Sequence, residues 1–354
     1  MSHPAGGRPH LLLCINPASG VGRGAGIGAE VLARLRSGGA DVEVLAVHRE
    51  SLHGSSSRVA GGPTPDADDE LPARRYETAL GRRLDGGPQP AAVVVVGGDG
   101  MVHVTANVLA GTGIPLGVVP AGTGNDTVRA LGWAEAGVAE STERILGALG
   151  RPPGAIDLAR VELGDLGAAG AGAAGGGTAV VRYAVSGVNV AFDAAVNATA
   201  NSLRWPRGGL RYVLAVLMEL TRYRPAGLRT LLDGAEGASG PAFLLCVMNG
   251  RFIGGGMEVT PGTRLDDGIL EVFHVPPMHP VRFLRVFPRV FSGRHTDLPE
   301  VTIRPARSVR IERVGRGPSE RESVVFGDGE PLGQLPATVT VAPGMLAVLG
   351  GAES

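Results

Sequence analysis

One stretch constrains this chain more than any other: AAVVVVGGDGMVHVTANVLAGTGIPLGVVPAGTGND, residues 91–126. Val93 to Val96 is a continuous β-branched run, the pattern of a strand buried on both faces. It stops at Gly97-Gly98-Asp99-Gly100, and Met101 to Leu109 then carries apolar residues at helical spacing. Ile114 to Val119 reads as the next strand and breaks into Pro120-Ala121-Gly122-Thr123-Gly124-Asn125-Asp126. Two glycine-rich loops after two neighbouring parallel strands fall on the same carboxyl edge, where open α/β sheets bind ligands. Glycine lets a backbone approach phosphate oxygens, and the following helix start offers amides and a positive dipole end. Asp99 stands between the glycines, which suggests a metal ion between protein and phosphate.

Upstream, Leu11 to Ile15 reads as a first strand ending in Asn16-Pro17-Ala18-Ser19-Gly20, with a helix over Ile27 to Leu35. Val42 to Val47 reads as a second strand, and Ala73 to Leu84 as the helix before the central stretch. GAGIGA, Gly24 to Ala29, fits a dinucleotide fingerprint, with Glu50 as the ribose-binding acid. Yet it begins well beyond Ile15, whereas that fingerprint follows its strand directly. Beyond Asp126, a helix near Ser141 to Leu149 ends at Gly150-Arg151-Pro152-Pro153, a hinge. The remainder alternates like a mainly antiparallel β domain, with expected strands at 156–163, 179–190, 228–232, 243–248, 269–275, 301–303 and 309–314. Helices are expected over Leu210 to Tyr223 and Val281 to Phe291. Residues 338–341 and 346–349 are two final runs. The Ser/Gly/Pro-rich segment 49–71 and the glycine-alanine segment 164–178 read as surface insertions.

The series NPASG, GGDG, PAGTGND, LDDGILEV (Leu265 to Val272) and FGDGEP (Phe326 to Pro331) resembles the diacylglycerol kinase catalytic domain family over nearly the whole chain. That family is related to sphingosine, ceramide and NAD kinases, and the likeness is greatest to the bacterial soluble lipid kinases. The resemblance implies an α/β nucleotide-binding domain with a parallel sheet (residues 10–152), a β-rich lipid-binding domain (153–336) and a returning segment (337–354). It implies ATP as co-substrate, Mg²⁺, and transfer of the γ-phosphate to a lipid hydroxyl, with diacylglycerol giving phosphatidic acid. The nucleotide site it implies comprises Asn16, Pro17, Ser19, Gly20, Gly97, Gly98, Asp99, Gly100, Gly122, Thr123, Asn125 and Asp126. Asp99 holds metal in this reading, and a second Mg²⁺ is bound by the Asp267 side chain with the backbone carbonyls of Arg264 and Ile269. Asp328 and Glu330 face the γ-phosphate and the lipid hydroxyl. If residues 328–330 are extended, both side chains share a face, Glu330 serving as base and Asp328 as its metal-linked partner.

Two departures stand out. Met101 follows GGDG where relatives have Thr or Ser, so the expectation is weaker nucleotide binding. His48-Arg49-Glu50-Ser51 stands where relatives carry a nucleotide-contacting threonine. Three other readings stay open: a sphingoid, ceramide or other lipid alcohol as acceptor, a dinucleotide-binding oxidoreductase using GAGIGA, and a degenerate nucleotide or lipid sensor.

Composition narrows the class further. The 354 residues suffice for two domains, and a formal charge of -1 gives nucleic acid no global attraction. Hydrophobic content of 44% opposes disorder despite 57 glycines and 26 prolines. Cys14 and Cys246 lie in apolar runs and read as reduced core thiols. No apolar run approaches a membrane span, so the expectation is a cytoplasmic protein, peripheral at the inner membrane surface, with a homodimer left open. His103 is expected on the surface or flank of its helix, and the histidines form no ligand set. Arg282, Arg285 and Arg289 recur at i, i+3 and i+7, with Phe283, Leu284 and Phe287 nearby. This is either a solvated cationic face or a membrane-docking one.

Overall fold

Continuous β-branched runs need cover on both faces, and the chain supplies it with helices. The computed structural model describes residues 7–45, 72–133, 136–164, 180–191, 226–314 and 323–351, with scattered positions between 195 and 219. Two compact units result: Met1–Ile156 with Met345–Glu353, and Asp157–Gly344. The expected insertion at 49–71, all of that at 164–178 beyond Gly164, the His48–Ser51 segment and most of the 210–223 helix lie outside the described residues.

In chain order the first unit has β1 (His10–Ile15), α1 (Ser19–Gly22), α2 (Gly24–Ser37), β2 (Asp41–Val44), α3 (Pro72–Gly86), β3 (Ala92–Gly97), α4 (Asp99–Leu109), β4 (Leu116–Pro120), α5 (Asp126–Ala130) and α6 (Val138–Ala148). The strands run in the order β2-β1-β3-β4, all parallel. Every residue of β3 is buried. On α2, Val31 and Leu35 are fully buried, each worth about 1.5–3 kcal/mol of apolar burial.

The GAGIGA fingerprint is corrected here. Its six residues are the first turns of α2, not a turn after β1. Gly28 is there for packing: a Cβ would lie 2.6 Å from Ile15 Cγ2. His103 also departs from expectation, being 6% exposed. Its helix α4 is covered by both α3 and α5, so its flank is interior too.

Cys14 and Cys246 are buried free thiols. Burial pushes the Cys14 thiol from 9.0 up to about 12. A raised pKa favours the neutral form, so the contribution to stability is intact below the unfolded thiol's pKa. It is lost as pH climbs from about 9 toward 12, by up to about 1.4 kcal/mol per pH unit. Thermal melts at pH 8 and pH 10 should therefore differ more for the native chain than for Cys14→Ala. Equal differences would refute the assignment.

Strands β5 (Gly154–Leu163) and β18 (Ala337–Val348) carry the chain between the units. The second unit also contains β6 (Val180–Ala184), β7 (Gly187–Ala191), β8 (Ala226–Leu232), β9 (Ala235–Ala242), β10 (Leu244–Met248), β11 (Phe252–Ile253), β12 (Met257–Glu258), β13 (Leu270–Val275), α7 (Pro280–Val286), β14 (Thr302–Ala306), β15 (Ser308–Arg313), β16 (Val324–Gly327) and β17 (Glu330–Gln334). One sheet has the order β14-β13-β10-β7-β16-β17, antiparallel throughout. The other brings β15, β8 and β9 beside β18, with β5 and β6 paired off it. Alternate residues such as Val188 and Val190, Leu245 and Val247, and Val309 and Ile311 meet in one core, the pattern of a β-sandwich.

Several expected elements change. The run 179–190 is two strands broken at Val185-Ser186, and 338–349 is one strand rather than two runs. The helix expected over 281–291 is α7 followed by a 3-10 segment, Phe287–Ser292. Strand β9 went unforeseen because AEGASGPA has no apolar alternation. No helix among the described residues is long and apolar enough to cross a membrane.

Candidate active site

The three loops at the carboxyl ends of β1, β3 and β4 abut through backbone. Asn16 N donates to Val96 O at 3.0 Å, and Ala121 N donates to Gly97 O at 2.9 Å. A Cβ on Gly20 would stand 2.8 Å from Ala121 O, and one on Gly122 would stand 2.5 Å from Gly98 Cα. Glycine at 98 and 122 is therefore a condition of the loops touching at all. Gly122→Ala should push them apart and lower kcat/KM for nucleotide roughly 10- to 100-fold, the scale of an ångström-sized misplacement. Kinetics beside a melting curve check this; a soluble variant with unchanged kinetics would refute it.

Within the loops, much polar capacity holds the loops themselves. Asn16 Oδ1 accepts from Ala18 N at 3.0 Å. The Asn125 amide both accepts from Gly122 N at 3.1 Å and donates to Gly122 O at 3.2 Å, with Asn125 at φ +55°. Ser19 is buried at the start of α1, Asp126 is buried at the start of α5, and Thr123 is exposed at the loop tip. Pro17 is half-buried, as are Gly98, Asp99 and Gly100. Arg23 folds back, its Nε donating to Gly20 O at 3.1 Å.

Asp99 opens α4 and its Oδ1 accepts from Thr127 N at 3.1 Å, tying the second loop to the third. Met101 is 8% exposed, and a Cβ on Gly97 would meet its Cβ at 2.9 Å. It is a packing residue. Behind it, Thr105 donates to Met101 O at 2.7 Å and bonds the Tyr76 hydroxyl at 2.8 Å.

In the second unit, Asp328 and Gly329 form the β16–β17 turn at φ +52° and +85°. The 328–330 segment is thus not extended, which corrects the shared-face expectation. The Asp328 carboxylate accepts from Val185 N at 2.8 Å, Ser186 N at 2.7 Å and Gly187 N at 3.2 Å. These bonds anchor the hairpin across the β6–β7 break. Glu330 follows, half-buried at the first position of β17.

Asp267 is exposed, with its Oδ1 accepting from Ile269 N at 3.0 Å, while Asp266 pairs with the Arg264 guanidinium at 3.1 Å. Burial, and then the Asp267 charge, push the Glu271 carboxyl up. Sequence reasoning missed Asp157 beside it. Asp157 is 4% exposed and accepts from Gly268 N at 2.7 Å and from Gly344 N at 2.8 Å. Fully buried Asn249 donates to Asp157 O and Val185 O at 2.9 and 2.8 Å. A polar residue inside an apolar run (Ile156-Asp157-Leu158, Val247-Met248-Asn249) was the available signal.

Mg²⁺ takes oxygen ligands, and at phosphate-transfer sites it takes one or two carboxylates plus substrate oxygens. Among the described residues no set of three acidic, His or Cys side chains converges. The carboxylates of Asp99 and Asp267 are oxygen donors of the kind such an ion takes, and each accepts one backbone amide, from Thr127 and Ile269 respectively.

An apolar cavity lies inside the second unit, lined by Leu244, Phe273, Met278, Phe283, Phe287 and Val290 among others. His295 is the polar residue in its wall; its Nε2 meets Val259 O at 2.8 Å. Burial holds its pKa below the usual imidazole value.

Three glycine-rich loops on the carboxyl edge of a parallel sheet, followed in the chain by a β-sandwich, define a nucleotide-binding α/β protein of the kinase type. The diacylglycerol kinase catalytic domain model matches residues 10–160, and the YegS C-terminal NAD kinase beta sandwich-like domain model matches residues 186–350. A diacylglycerol kinase of Mycobacterium tuberculosis (strain H37Rv) is 33% identical, over 94% of this chain and 93% of its own. A probable YegS-like lipid kinase of Stenotrophomonas maltophilia is 30% identical over 71% and 76%. In fold, the chain is similar to a putative diacylglycerol kinase from Bacillus anthracis (TM-score 0.64, 18% identity, 97% and 96% covered). It is also similar to yeast NADH kinase (TM-score 0.51, 11% identity, 99% and 82% covered). The chain belongs to the diacylglycerol kinase family and is a lipid kinase.

Proposed function

We propose that this kinase transfers the γ-phosphate of ATP to the primary hydroxyl of diacylglycerol, giving phosphatidic acid. The observation that carries the reading is the backbone contact of the three loops around Asp99, which forms a cradle for phosphates. Backbone amides at the starts of the helices bind phosphate oxygens. Asp99 would hold Mg²⁺, whose positive charge would offset that of the phosphates; Asp267 with the Arg264 and Ile269 carbonyls is the second proposed ion site. Ser19 and Thr123 bind nucleotide. Glu330 accepts the acceptor hydroxyl's proton, and Asp328 positions it by fixing the hairpin. The apolar cavity of the second unit takes an acyl chain, supported by its almost wholly apolar wall.

The degenerate-sensor reading, raised by Met101 and by His48-Arg49-Glu50-Ser51, is separated from this one by turnover. The test is to incubate the chain with labelled ATP, Mg²⁺ and separate samples of diacylglycerol, sphingoid base, ceramide and polyprenol. Label in phosphatidic acid is the expected result. Label in another product reassigns the acceptor, and none in any overturns the proposal.

A further inference from the structure

We infer that the outer face of α7 and its 3-10 extension docks the kinase onto anionic lipid bilayers. Seven large apolar side chains are notably exposed among the described residues. Three of them fall in this one short segment: Val281 at 60%, Leu284 at 43% and Phe291 at 49%. Between and beside them Arg285, Arg289 and Arg294 are also exposed. Arg289 and Arg294 line a shallow polar hollow with Pro288, Ser292 and Asp297. Arg282, also counted on this face from sequence, is instead paired with Glu300 and contributes little net charge.

The segment's inner face says which partner this is. Phe283, Val286, Phe287 and Val290 point inward and wall the apolar cavity. One helical segment therefore has the cavity on one side and a mixed apolar and cationic surface on the other. A surface of that composition fits the interface of a bilayer: apolar side chains enter the acyl boundary while guanidinium groups meet lipid phosphates. Three arginines against one carboxylate, Asp297, set the sign of the partner. It is negative. Each such arginine adds about 1 kcal/mol of attraction near an anionic surface, equivalent to about fivefold in partition.

The inference extends the lipid-kinase reading, from which it takes the bilayer as the place where the acceptor lies, but its test needs no turnover. Sedimentation of the full chain with phosphatidylcholine vesicles, and with vesicles containing roughly one-third phosphatidylglycerol, measures partition directly. The native chain should bind the anionic vesicles preferentially and lose binding in high salt. The R285Q/R289Q/R294Q variant should bind about 100-fold more weakly, and L284S/F291S about tenfold more weakly. Both should keep the native melting temperature and turnover on a short-chain acceptor dispersed as monomers.

Three results would each overturn the inference. The native chain could ignore anionic vesicles, or the arginine variant could bind like the native chain. Alternatively, the substitutions could dissociate a dimer without changing vesicle binding, which makes the face a contact between copies. Failure to phosphorylate any lipid, with vesicle binding intact, would instead sink the proposed function and leave the docking face standing.

Discussion

Asp99→Asn is expected to abolish phosphoryl transfer while the protein stays folded. Oδ1 of asparagine can still accept from Thr127 N, so the bond joining the second and third loops survives. What disappears is the negative charge that the proposed mechanism uses to hold a cation against phosphate. Charge stabilisation of this kind is worth several kcal/mol, so turnover should fall at least about 1000-fold. Calorimetry supplies a readout independent of turnover: Mg²⁺ should strengthen ATP binding to the native chain and not to the variant. A variant that retains near-native turnover would remove Asp99 from the chemistry.

Glu330→Gln is expected to lower kcat by about 100-fold or more, the low end of general-base contributions, with nucleotide KM nearly constant. An alcohol attacks poorly until its proton leaves, and a carboxylate can take that proton during transfer. Asp328→Asn should behave differently. Its carboxylate accepts three backbone amides and fixes the turn, so replacing one oxygen with an NH₂ faces a donor with a donor. Each charge-assisted bond contributes about 1.5–3 kcal/mol, so the variant should lose stability, with activity following the hairpin. If Asp328→Asn is stable but inactive and Glu330→Gln is active, the two roles are exchanged.

The loops of the nucleotide half were legible because their signals are local. A β-branched run needs burial, the glycines that end it mark a turn, and both lie within a few residues. What stayed hidden depends on distant partners. Asp157 meets amides at Gly268 and Gly344, separated from it by 111 and 187 residues, so its apolar neighbours mark it as unusual without announcing what it holds. His103 was misplaced because helical periodicity identifies a buried stripe but not a helix covered by two others. Strand β9 is held by its ladder to β8 rather than by apolar side chains, and a ladder leaves no mark on composition. Asp-Gly at 328–329 did advertise a turn. An extended geometry requires negative φ, and Asp328 and Gly329 both have positive φ, so the two-residue alternation that would put Asp328 and Glu330 on one face does not apply.

Strand β18 sets the order of events during synthesis. Residues Ala337 to Thr340 pair with β15, and Val348 pairs in parallel with β4, whose Leu116 was made more than two hundred residues earlier. A ribosome has therefore released most of the chain before either unit can complete its sheet. Until then β4 and β15 present unpaired edges, the kind that recruit foreign strands. Pairings of such sequence separation are slow to form. Premature termination anywhere before β18 should thus yield a chain with both units open at once, a substrate for chaperones and proteases rather than a half-working enzyme.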